Sequence, residues 1–271
     1  MTATITERLQ LRFDPHTIEH LGIKMYSRLP YALAELVANA YDAGAEIVSI
    51  DLRDEDSNNK QIIISDDGEG MSYDEVQDKF LVIGRKRRDF DESRNNSKGR
   101  RITGKKGVGK LALFGIGKRI EVQTTVKGVL EKTQLILEWD KIIGETSGTY
   151  YPEFEVYECD CADEHGTTLI LSNLSRVTDF DLQGTAIALS KLFNWFDIDF
   201  QINISHNGME TIQLSRDLKY EGITKEFEWD VGNIVSCLDD NYEYKAELKG
   251  KIISSKKPMK PDLRGITLYV N

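Results

Sequence analysis

Cysteine is scarce in this chain: 271 residues hold three, Cys159, Cys161 and Cys237. Their number and uneven spacing exclude a disulfide framework and fit a reducing compartment. Cys159-Asp-Cys161 with His165 nearby has the chemistry of zinc ligands, but it lacks the second pair that a four-ligand structural site needs. His16 and His20, at helical spacing, read as a solvated face. Long apolar runs are missing as well, since none approaches the roughly 20 residues that cross a bilayer. Met1-Thr-Ala-Thr-Ile-Thr-Glu7 has neither the basic start nor the apolar core of a signal peptide. The expectation is a cytoplasmic protein with no membrane partner.

What is present is an ordinary globular balance, 40% hydrophobic and 30% charged residues. The length allows one sizeable core, or one core plus a smaller unit. No internal repeat or low-complexity segment stands out. The formal charge of -10 is unevenly spread. Residues 85–110 hold eleven Lys or Arg against Asp89, Asp91 and Glu92, a net of +8 that leaves the remainder at -18. A basic segment in an acidic protein suits a bound polyanion, a nucleotide triphosphate or a nucleic acid. A solvated, charge-rich loop is the alternative.

The most informative stretch runs from Glu35 to Gly70. A helix starting near Pro30 and capped by Gly44 places Glu35, Asn39 and Asp42 at offsets of four and seven, within an arc of about 60°. Leu33, Leu36, Val37 and Ala40 fall on the opposite side. Two strand-like runs follow, Glu46–Asp51 and Gln61–Ser65, joined by a polar turn. They end in the acidic, glycine-rich Asp66-Asp-Gly-Glu-Gly-Met71. Ser72 to Glu75 is a capping-box pattern that opens a helix through Phe80.

Residues 1–29 read as an arm with a short helix over Thr17–Arg28, and residues 85–103 as a mobile loop. Strands are expected at Arg119–Val126, Val129–Trp139, Glu153–Glu158 and Thr167–Leu171. A helix is expected over Asp179–Phe196, and then a strand over Asp197–Ser205 that meets a His-Asn-Gly turn. Beyond about residue 215 the texture changes to short strand-like pieces, Tyr242–Ile253 and Gly265–Val270, and the chain reads as truncated within a second domain.

Gly104-Lys-Lys-Gly-Val-Gly109-Lys110 matches the G-x-x-x-x-G-K of a P-loop. Leu111 stands where that motif needs Ser or Thr for magnesium, and a polar loop stands where it needs a buried strand. The dinucleotide fingerprint G-x-G-x-x-A over Gly107–Ala112 fails for want of the same strand. Glycines and a helix start remain, which together offer free N–H groups to a phosphate. A plain loop-to-helix junction has the same sequence signature. Asp66, at the end of its strand, can accept from an exocyclic amine, and Gly68 and Gly70 leave room for a flat ring.

In this order the motifs resemble the GHKL ATPase family, which groups gyrase-type topoisomerases, the heat-shock chaperone, histidine kinases, MutL and the MORC proteins. Glu35-x-x-x-Asn39-x-x-Asp42-Ala43 is similar to the N-box and Asp66-x-Gly68-x-Gly70 to the adenine-binding box. Gly104-x-x-Gly107-x-Gly109 is similar to the lid glycine box, and Gly166-Thr167 to the later Gly-Thr element. The resemblance covers residues 15 to 210 and is nearest to MORC-like or prokaryotic stand-alone members. It implies an α+β fold, a two-layer α/β sandwich of the Bergerat type with a mixed, largely antiparallel sheet. It divides the chain into an arm (1–14), an ATP-binding domain (15–212, lid about 84–110) and the beginning of a transducer-like α/β domain (213–271).

The resemblance also implies ATP and Mg2+ as cofactors. Asn39 would hold the magnesium, Glu35 would activate the attacking water as general base, Asp42 would support the site, and Asp66 would read the adenine amino group with Thr167. Gly68, Gly70, Met71 and Gly84 would line the pocket. Gly104, Lys105, Lys106, Gly107, Val108, Gly109, Lys110 and Leu111 would take the phosphates, and Lys256 or Lys257 would reach the terminal phosphate from the second domain. Implied partners are ATP or ADP, a second copy in an ATP-gated homodimer formed through residues 1–20, and DNA or a protein client recruited by a C-terminal region.

Glu35 favours a hydrolase over a histidine kinase, which lacks that base and carries a phosphoacceptor helix. A nucleotide-sensing interaction module with negligible hydrolysis is the alternative from another class, and a dinucleotide-dependent oxidoreductase is a third.

Overall fold

The computed structural model describes residues 11–12, 28–56, 59–82, 95–102, 112–145, 148–159, 164–193, 199–235, 250–259 and 263–265. The chain divides into two compact units, Met1–Lys219 and Tyr220–Asn271. In the first, strand β1 (Leu11–Arg12) pairs antiparallel with β6 (Thr149–Tyr150). Helix α1 (Leu29–Asp42) carries Pro30 in its first turn, where a missing N–H removes no helical bond. It stops at Ala43-Gly44, as expected from the sequence. Ala32, Leu33, Leu36, Val37 and Ala40 are all buried. The predicted apolar stripe is therefore the face that packs.

Strands β2 (Ile47–Arg53) and β3 (Gln61–Asp66) form the expected antiparallel pair, with Val48 opposite Asp66. Ser72 then closes a reciprocal capping box with Glu75. It opens the short helix α2 (Tyr73–Glu75), which widens into a π-helical turn over Val76–Phe80. The remaining elements are α3 (Ala112–Ile116), β4 (Gly117–Thr125), β5 (Glu131–Glu138), α4 (Trp139–Ile143), β7 (Glu153–Glu158), β8 (Gly166–Leu174), α5 (Leu182–Ser190), β9 (Gln201–His206) and β10 (Glu210–Gln213).

Eight of these strands make one sheet in the order β10-β9-β2-β3-β8-β4-β5-β7. Only the β2/β9 pairing is parallel; the others are antiparallel. Alternate residues, among them Val48, Ile50, Leu52, Ile62, Ile64, Ile120, Val122, Leu135, Ile202 and Ile204, are buried in one core. That alternation of burial is the signature of a sheet covered on one face. Helix α1 packs against α3 and α5 within the covering layer. The fold is the expected two-layer α+β sandwich.

Three boundaries differ from the sequence reading. Helix α5 starts later, with Asp181 as N-cap accepting from Gly184 N–H at 2.8 Å, and ends at Ser190 rather than at Phe196. The sheet continues through β10, because Asn207 and Gly208, both at positive φ, turn the chain straight back on β9. Residues 95–102, within the stretch expected to be a mobile loop, form a compact turn closed by an Asn95–Arg101 bridge.

The second unit contains β11 (Lys225–Asp230), α6 (Val231–Val235) and β12 (Lys251–Ser255), with β11 and β12 antiparallel. Strand β11 was not expected from the sequence. Strand β12 takes up the end of the expected 242–253 strand, whose first part lies outside the described residues.

Candidate functional site

The C-terminal end of α1, the Asp66–Gly70 turn and the start of β8 meet at one end of the sheet. Asp66 closes β3 opposite Thr167 of β8 and Val48 of β2. Its Oδ1 accepts from Gly68 N–H at 3.0 Å. Burial pushes its carboxyl up to about 6 from the ordinary 3.8, and the charge of Asp67 adds to this; the backbone N–H groups of Gly68 and Thr167 and the nearby His165 pull it partway back. This acidic side chain is thus held where water solvates it poorly, at a position a polar ligand can satisfy.

The turn is fixed on both sides. Asp67 Oδ1 accepts from Glu46 N–H and Ile47 N–H, each at 2.8 Å. Glu69 N–H donates to Ala43 O at 2.9 Å, just past the end of α1. His165 Nδ1 lies 2.8 Å from Gly68 O. The carboxylate next to Asp66 is therefore structural, while Asp66 itself faces the turn's glycines.

Thr124 on β4 completes the wall. Its hydroxyl accepts from Met71 N–H at 2.9 Å, and lies 3.2 Å from Gly166 O and 3.1 Å from Thr167 Oγ1. One hydroxyl therefore stitches the glycine turn to the Gly166-Thr167 element. Sequence reasoning missed it, because a threonine in an alternating strand carries no local signal. Two glycines permit this closeness. Gly70 (φ +68°) and Gly166 (φ +107°) are left-handed, and a Cβ on either would lie 1.9 Å from a backbone oxygen, that of Thr125 or of Asp66. Gly70 thus serves the contact between turn and β4, a tighter requirement than leaving room for a ring.

Of the residues singled out from the sequence, Glu35 and Asn39 are half-buried, one turn apart on α1, and Asp42 is buried at its end. Gly68, Gly70, Met71 and Thr167 gather around Asp66 through the bonds above. Lys256 and Lys257 follow β12 in the second unit, where Lys256 N–H donates to Thr224 O at 3.0 Å. Gly84, Gly104, Lys105, Lys106, Gly107, Val108, Gly109, Lys110 and Leu111 lie outside the described residues. Among the described residues no group of three His, Cys, Asp or Glu could hold a metal ion. His165, at Gly68 O, is part of the turn.

The sequence model of the histidine kinase-, DNA gyrase B- and HSP90-like ATPases matches residues 26–167, from the start of α1 to Thr167. The chain belongs to this ATPase family. A putative type II restriction enzyme, HgiDII of Herpetosiphon aurantiacus, is 41% identical over 120 residues, which are 44% of this chain. The chain spans only 18% of that relative's length in the match. The family's matched region contains Glu35, Asn39, Asp66 and the Gly68–Met71 turn. No helix among the described residues is long and apolar enough to cross a membrane.

The residues fit the nucleotide and ion that the family implies. A Cβ at Gly68 would lie 2.8 Å from Asp66 Oδ1 and 2.9 Å from Ala43 O, so only glycine leaves that side of the carboxylate open. The side-chain oxygen of Asn39 is a neutral, hard donor suited to magnesium that keeps most of its ligands as water and phosphate.

Proposed function

We propose that this chain binds ATP with magnesium and hydrolyses it, with Asp66 accepting from the adenine amino group and α1 presenting Asn39 and Glu35 to the phosphate end. The observation that carries the reading is the poorly solvated Asp66 carboxylate, held at the glycine turn that is bonded directly to the end of α1. A carboxylate short of solvation gains most from a donor such as an exocyclic amine. Thr167, hydrogen-bonded to Thr124, supports the same edge of the base.

Magnesium supplies charge neutralisation at the phosphates. Asn39 would hold it, Asp42 would brace the end of the helix, and Glu35, one turn before Asn39, would orient and deprotonate the attacking water. Glycines and lysines of the 104–111 box would cradle the phosphates as the basic segment closes. The cycle would gate a homodimer through the N-terminal arm, whose β1 strand pairs with β6 of its own chain. The relative's description as a putative type II restriction enzyme makes DNA the first client to test.

The deciding experiment measures ATP binding and phosphate release by the purified protein and by Glu35→Ala, with and without duplex DNA. The expected result is binding by both and turnover by the parent alone, reduced by about 10²-fold or more in the variant. Undiminished turnover in Glu35→Ala would remove the general-base role; binding with no turnover in the parent would leave a nucleotide sensor. Mass in solution with a non-hydrolysable ATP analogue tests the dimer, and a persistent monomer would count against it.

A further inference from the structure

Arg100 is one of eleven cations in the basic segment, and its surroundings set it apart. Its guanidinium donates to Ala45 O at 2.5 Å and to Asp199 O at 2.6 Å. It also lies over the ring of Tyr41 at 4.8 Å and near that of Phe200 at 5.5 Å. Those two rings meet edge to face, 5.1 Å apart, and Phe200 is buried. A planar, five-donor cation suits such a place, since it bonds two carbonyls in its plane while its faces meet aromatic rings.

The turn that carries it is built to hold it there. Asn96 Oδ1 accepts from Lys98 N–H at 3.1 Å and Arg100 N–H at 2.9 Å, and Asn96 N–H donates to Arg100 O at 2.9 Å. Asn96 Nδ2 donates to Tyr41 O at 2.9 Å, a carbonyl in the last turn of α1 that also accepts from Gly44 N–H at 3.1 Å. Lys98 pairs with Glu46. The segment 41–47 thus bonds the 95–102 turn and also the Asp66–Gly70 turn, the latter through Ala43 O and the N–H groups of Glu46 and Ile47.

We infer that Arg100 is a positioning residue of the nucleotide site: it locks the junction after α1 and so fixes the helix bearing Glu35 and Asn39 relative to the turn bearing Asp66. This rests on the nucleotide reading above. Besides its bonds to Ala43, Glu46 and Ile47, the base end has supports outside the 41–47 segment, at Thr124, Gly166 and His165. Loss of Arg100 therefore acts more strongly on the phosphate end, through the helix. Arg100 is spent on protein carbonyls and is not among the cations that meet phosphate.

The test is calorimetric binding of adenosine and of ATP with magnesium to the parent, Arg100→Ala and Arg100→Lys. In Arg100→Ala the affinity for ATP should fall about tenfold or more while that for adenosine stays within about twofold. Arg100→Lys keeps the charge and stem, which preserves folding, but it cannot bond both carbonyls and stack at once; it should show the same selective loss, at least about threefold. Unchanged ATP affinity in both variants, or a parallel loss of adenosine and ATP, would overturn the positioning role. Failure of the parent to bind either ligand would overturn the nucleotide reading itself, and the positioning role with it.

Discussion

Acidifying the protein from pH 8 to pH 5 should weaken its binding of adenosine about tenfold, with the midpoint near pH 6. The magnitude follows from Asp66, whose carboxyl titrates at about 6 in the folded protein. If the ionised form is the acceptor for the adenine amino group, about 99% of it is present at pH 8, half at pH 6 and about 9% at pH 5. Adenosine is the right probe because it has no phosphate to titrate in that range. Stability should move the other way. Asp66 is raised above its unfolded value of 3.8, so its ionised form is the one folding disfavours. The penalty, at most about 3 kcal/mol, is in force above pH 6 and relaxes as pH falls from 6 towards 4. His165 sits at Gly68 O and acts on the Asp66 carboxyl, so the profile should be repeated in His165→Gln. In Asp66→Asn binding should be weaker and flat with pH. An adenosine affinity that stays level from pH 8 to pH 5 in the parent would refute the assignment of Asp66 as the base acceptor.

Two further substitutions probe the wall. Thr124→Val keeps the shape and removes the hydroxyl, leaving Met71 N–H without its acceptor; a loss of about 1–3 kcal/mol in chemical denaturation is expected, with weaker adenosine binding. An unchanged denaturation midpoint would mean that the turn finds another acceptor. Gly166→Ala puts a Cβ 1.9 Å from Asp66 O at a φ of +107°, so a loss of more than about 2 kcal/mol, or failure to fold, should appear in thermal unfolding. Wild-type stability there would mean that β8 can shift away from β3 at little cost.

The helix of Glu35 and Asn39, the β2/β3 pair, the capping box at Ser72 and the glycine turn were legible in the sequence because each is specified by neighbours a few residues apart. Pro30, Gly44 and the alternation of Ile62 and Ile64 act locally. Thr124 and Arg100 were not legible. Thr124 matters only because β4 is brought beside β8, and Arg100 only because residues 41, 45, 199 and 200 converge on it. Nothing near Arg100 in the sequence distinguishes it from Arg101 or Lys98. The 95–102 turn was hidden for the same reason, since a charge run describes solvation and says nothing of a fold held by one asparagine. His165 attracted a metal reading through its neighbours in the sequence, whereas its partner in space is Gly68 O.

The one parallel pairing among the described strands, Ile47–Leu52 of β2 against Gln201–His206 of β9, has a consequence for how the protein is made. Strand β2 emerges from the ribosome roughly 150 residues before its partner, so that side of β2 lacks this neighbour until β9 has been made. Pairing across so long a loop is slow, and an unpaired apolar strand invites the same strand of another nascent chain. Chains cut anywhere before residue 206 should therefore accumulate as aggregates, even when they contain α1, the Asp66–Gly70 turn and Thr167.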